Sequence, residues 1–117
     1  MRRLLPLLLL SFLLIPRDAA ALQCAGMPSV ADELARSPFV FVVDAHGDVV
    51  RTFKGRPPHH PTFAPVMGMP DPVNTKQAIL FYGTNAADGF HAPLCGRTRL
   101  LADAKEDIAA LAKATGR

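Results

Sequence analysis

This chain of 117 residues lacks an apolar run long enough to cross a bilayer, a basic run interleaved with aromatics, a Gly-x-Ser-x-Gly elbow, and more than two cysteines. Each absence removes a class of function. A spanning helix needs roughly 20 apolar residues, and the run from Leu4 to Ile15 is broken at Pro16-Arg17-Asp18. Without a basic and aromatic stretch there is no electrostatic footprint for nucleic acid. Without a strained nucleophile turn, Ser29, Ser37 and the four histidines make the weakest case, that of a small hydrolase. No catalytic residue is assigned and no cofactor is expected, so the chain reads as non-enzymatic.

What is present points out of the cytoplasm. Met1-Arg2-Arg3, the apolar run and Ala19-Ala20-Ala21 have the order of a secretory signal peptide over residues 1–21, cleaved after Ala21. Lipid attachment at Cys24 is disfavoured by the bulky Gln23 before it. Residues 22–117 then form one small domain with no stable membrane insertion, secreted to the periplasm or beyond. Loss of Arg2, Arg3, Arg17 and Asp18 leaves ten Lys and Arg against nine Asp and Glu. A domain of this size buries only around two-thirds of its unfolded surface, which makes a covalent staple valuable. Cys24 and Cys95 are read as a disulfide, with two free thiols as the alternative.

Along the chain, Ser29 caps a short helix over Val30–Arg36, with Asp32 and Glu33 suited to its positive end. Phe39–Val43 has no polar alternation and reads as a central strand covered on both faces. Asp44–Asp48 is a turn, and Val49–Phe53 completes a hairpin. Asp44, His46 and Asp48 stand at metal-ligand spacing, but turn chemistry explains them and no other ligands lie near in sequence. The stretch 56–73 contains six prolines and reads as a long surface loop, partly polyproline-like. Its His59-His60 pair lacks the further ligands of a closed site, so no metal site is assigned. Gln77–Tyr82 reads as a strand, Gly83–Gly89 as a turn and Phe90–Leu94 as a short returning strand. Leu101, Ala104, Ile108, Leu111 and Ala112 recur at helical spacing up to Gly116, the pattern of an amphipathic C-terminal helix. The fold class is α+β.

Three stretches carry a resemblance: Cys24–Ala35 with Phe39–Val43, then Val50-Arg51-Thr52-Phe53-Lys54-Gly55, and above all Leu94-Cys95-Gly96-Arg97-Thr98-Arg99-Leu100-Leu101 leading into the last helix. Together they resemble small secreted bacterial proteins of the netrin-module, or tissue-inhibitor-of-metalloproteinase-like, superfamily. The resemblance implies a small oligonucleotide/oligosaccharide-binding-type (OB-like) β-barrel, or an incomplete version of it as an antiparallel sheet. It also implies a disulfide-linked binding module with a protein partner, proteases among the candidates. The sequence departs from that pattern in two places. Leu22-Gln23-Cys24 lacks the first cysteine of the inhibitors' Cys-x-Cys start, and the Pro-rich tract stands where middle strands belong. The competing reading is a metal-binding protein using His46, His59, His60 and His91.

Overall fold

The computed structural model describes Cys24 and residues 26–65 and 69–117. The expected signal peptide, its expected cleavage site and Leu22-Gln23 lie outside the described residues. The architecture is α+β, an open antiparallel sheet of five strands with helices on one face. Helix α1 (Val30–Arg36) leads into β1 (Phe39–Val43) and β2 (Val49–Lys54), and the Pro-rich tract ends in a single-turn helix α2 (Pro72–Thr75). Strands β3 (Ile79–Ala86), β4 (Gly89–His91) and β5 (Arg99–Leu100) follow. A 3-10 turn, Leu101–Asp103, then precedes α3 (Lys105–Thr115).

The order β2-β1-β3-β4 places β1 and β3 at the centre, and β5 pairs with β3 on the same side as β4. Strands β2 and β4 are the ends of the path and do not pair, so the barrel of the resemblance does not close and the antiparallel-sheet form is the one observed. Strand β2 carries two irregularities in its register with β1. Bulges of this kind twist an edge strand and blunt it against further strand pairing.

Both faces of the central strands are covered, as their unbroken apolar composition predicts. Val40, Val42, Leu80 and Tyr82 pack with Phe53, Ala104 and Leu111 under the two longer helices. Phe41, Val43, Ile79, Phe81 and Phe90 form the opposite layer, against which Phe39, Phe63 and Met69 pack. The edge-to-face contacts of Phe90 with Phe39 and Phe41, at centroid distances of 5.1 and 5.3 Å, suit the ring quadrupoles.

The second layer corrects the expectation of a plain surface loop over 56–73. Phe63 bridges to Phe90, Ala64 is buried, and Phe90 donates to the Thr62 carbonyl at 2.8 Å. A sheet with two apolar faces and helices on only one must cover the other with whatever chain is available. Pro72 starts α2, where a missing N–H costs nothing, and Asp71 accepts from Val73 and Asn74.

Candidate functional site

The Cys95–Arg99 segment, the most specific part of the resemblance, is a structural clasp. Cys95 is bonded to Cys24, with Cα atoms 5.6 Å apart, in agreement with the expected disulfide. Gly96 lies against the Glu33 carboxylate, where a Cβ would clash. The next residue, Arg97, donates its backbone N–H to Glu33 Oε2 at 2.7 Å. Its guanidinium forms a two-pronged contact with Asp107 on α3, both bonds 2.7 Å, and a third bond to the Pro28 carbonyl at 2.9 Å. Parallel N–H donors matched to a carboxylate are the strong form of this interaction.

Thr98 completes the clasp. Strand β4 pairs with β3 from Thr84 onward and β5 pairs only with Ile79 and Leu80, which leaves Tyr82 facing a gap. The Thr98 hydroxyl fills it, accepting from the Tyr82 N–H at 2.9 Å and donating to the Tyr82 carbonyl at 3.0 Å. The Tyr82 hydroxyl donates to Asp107 Oδ2 at 2.8 Å inside the core. Burial raises the Tyr82 pKa, and the Asp107 carboxylate raises it further, so the phenol stays protonated. For Asp107 burial acts upward, but the Arg97 guanidinium and the Tyr82 hydroxyl outweigh it and hold the carboxyl below the usual aspartate range.

The other motif stretches have the same character. Ser29 accepts from the Asp32 N–H at 3.1 Å as the helix cap. Lys54 reaches from β2 to the Leu34 and Ala35 carbonyls at 2.7 and 3.3 Å, closing the C-terminal end of α1. Gly55 has φ +80 and no room for a Cβ beside the Pro38 carbonyl. Glu33, read from the sequence as an acid suited to the positive end of α1, is also fully buried between Arg36 and the Arg97 N–H. Position in a helix shows its dipole, not which loop will close over it.

Two surface features remain. One is an open groove of ≈ 830 Å³ lined chiefly by Val50, Ala78, Leu101 and Ile108, with Arg51, Gln77 and Lys105 as its polar lining residues. Among the described residues, no Ser, Cys, His, Asp or Glu lines it, and Val50 is 59% exposed. Arg51 is held in place by its stacking over Phe53, 4.7 Å from the ring centroid, and by a bond to the Arg117 carbonyl at 2.9 Å.

The second feature is a histidine cluster. By spacing alone His59-His60 lack a third ligand, and Asp44, His46 and Asp48, though at metal-ligand spacing, are explained as a turn. The turn is there, Asp44 Oδ1 accepting from the N–H groups of His46 and Asp48, but the fold also brings Asp48 to the two histidines. This contact spans eleven residues and no local spacing reveals it. His46 and His91 do not join: His46 is exposed in the turn and His91 pairs with Asp88 at 2.6 Å. Nor do the serines meet a histidine, since Ser29 is used as a cap and Ser37 Oγ is buried without a hydrogen-bond partner among the described residues.

No family model matches the chain, and neither a curated protein nor a solved structure matches it. The netrin-like resemblance therefore rests on the sequence motifs alone. Among the described residues, no helix is long and apolar enough to cross a membrane.

Proposed function

We propose that this protein is a secreted, non-enzymatic binding module, stabilised by its disulfide, that holds a segment of a protein partner in the groove beside β2. The observation that carries this reading is the groove itself. Its lining is chiefly apolar, with Arg51, Gln77 and Lys105 as the polar members and no acid among the described residues. That surface suits a segment that presents apolar side chains together with a carboxylate, because the buried apolar area supplies affinity and the charges fix orientation. The two bulges in β2 argue for side-chain docking in the groove over addition of a strand to the edge. The non-enzymatic character is supported by how the buried carboxylates are used: Glu33 and Asp107 are both engaged by Arg97, through its backbone N–H and its guanidinium. A disulfide supports an oxidising compartment.

A protease-inhibitor role is the form of this reading that the resemblance favours, and such an inhibitor would act through the groove. The test is a photo-crosslinking side chain at position 50 in the full chain, with Ala114 on the exposed side of α3 as the control position. A partner trapped from 50 and not from 114, and lost on Val50→Glu with unchanged circular dichroism, is the expected result. Equal trapping from both positions, or a partner indifferent to Val50→Glu, overturns the assignment of the groove.

A further inference from the structure

We propose that Asp48, His59 and His60 form a binding site for a divalent transition metal of the zinc type. The three side chains each offer one ligand atom, and these atoms all lie within 4.8 Å of one another. His59 Nε2 stands 3.9 Å from Asp48 Oδ1, and His60 Nδ1 contacts the same oxygen. The two imidazole rings meet edge to face at 67° with centroids 4.5 Å apart and do not stack.

Asp48 Oδ1 is the decisive atom. It is sealed from solvent and accepts no well-aligned hydrogen bond from any described residue, although the rest of its side chain is partly open. A buried carboxylate oxygen in this condition costs stability unless a proton or a cation is supplied to it, and the groups that face it are the two imidazoles. The backbone holds the set together from both sides. The Val49 N–H donates to the His59 carbonyl at 2.9 Å, and the Asp44 N–H donates to the Asp48 carbonyl at 2.9 Å. Strand and Pro-rich tract are thus joined within one residue of two of the ligands.

The donor set selects the metal. Two neutral imidazole nitrogens and one carboxylate oxygen suit zinc and its neighbours, whereas calcium and magnesium take oxygen shells. Ligands at about 2.0–2.2 Å from one ion lie on the order of 3.4 Å apart in tetrahedral geometry, so an adjustment of about 1 Å closes the set. Both histidines are 70% exposed and free to make it. Three protein ligands leave a fourth position to water or to an incoming donor from another molecule.

The experiment is calorimetric titration of the full chain, without a polyhistidine tag and with the disulfide intact, using ZnCl2. Saturable binding of one Zn²⁺ per chain is expected, weakened at least about tenfold by each of Asp48→Asn, His59→Ala and His60→Ala. His46→Ala and His91→Ala should leave the isotherm unchanged, and CaCl2 should neither bind nor compete. Visible absorption of a Co²⁺-loaded sample, lost in His59→Ala/His60→Ala, reports inner-sphere ligation separately from affinity. The exposed positions of both histidines make folding of these variants independent of the result, which circular dichroism verifies. No one-site isotherm, an isotherm that survives His59→Ala/His60→Ala, or equal losses in His46→Ala and His91→Ala each overturns the site.

Discussion

At the scale of single residues, the side chain with the most structural consequence for its size is Thr98. One hydroxyl satisfies both backbone groups of Tyr82, a fully buried residue. Thr98→Val keeps the shape and removes both bonds, so it should lower stability by about 1–3 kcal/mol. Urea unfolding monitored by circular dichroism would show this as a lower midpoint with an unchanged slope; an unmoved midpoint would mean that the Tyr82 groups find other partners. Asp107 gives a pH signature. Its folded pKa lies below the ordinary value, so its contribution is complete above the unfolded value of about 3.9 and disappears as pH falls through the lower folded value. The midpoint should therefore drop below about pH 4, and Asp107→Asn, which leaves part-buried Arg97 without its counter-charge, should be less stable at pH 7 by about 2 kcal/mol. The variant should also show a flatter decline in acid. Parallel curves for the two proteins would refute the assignment.

At the scale of elements, what was legible in the sequence is what local chemistry decides. Ser29, Pro38 and Gly116 mark the ends of α1 and α3, and each performs there as its type requires. The continuous apolar run of β1 correctly announced two covered faces. Less legible were features set by contacts far along the chain. Strand β3 runs on to Ala86, through Gly83-Thr84-Asn85, because pairing with β4 holds residues that prefer turns. The two residues of β5 are too few to show any periodicity. Phe63 was hidden among prolines, and its burial follows only from the sheet face it covers. In the candidate metal cluster the His59-His60 pair was visible, while the turn chemistry of Asp44–Asp48, borne out by the bonds from the His46 and Asp48 N–H groups to Asp44 Oδ1, already accounted for Asp48. Lys54 illustrates the same limit, since its reach to α1 depends on how β2 lies beside the helix end. Replacing it with Met should cost about 1 kcal/mol by freeing the last carbonyls of α1, read as a shift in urea midpoint. An equally stable variant would show those carbonyls to be satisfied by solvent.

At the scale of the whole molecule, the N-terminal segment is tied to the loop before β5 by three kinds of bond. These are the disulfide, the Glu33 to Arg97 backbone contact and the Arg97 to Pro28 carbonyl contact. They do different work. The last two act only in the folded state, whereas the disulfide chiefly restricts the unfolded chain, and its sequence separation of 71 residues corresponds to about 4 kcal/mol in the chain-entropy model. Cys24→Ala/Cys95→Ala should therefore retain the native circular dichroism spectrum, because the polar clasp still positions both segments. Its urea midpoint should nevertheless fall by an amount approaching that figure. Arg97→Ala with the disulfide intact should show the reverse balance: a smaller entropic change, but a disturbed Tyr82 environment visible in the near-ultraviolet spectrum. Because the two ties meet at one loop and each keeps that loop in place for the other, either single removal already weakens the remaining tie, so removing both should cost less than the separate losses combined. Simple additivity in that double-mutant cycle would show that the disulfide and the clasp act independently, and would remove the physical reason for cysteine, glycine, arginine and threonine to stand next to one another.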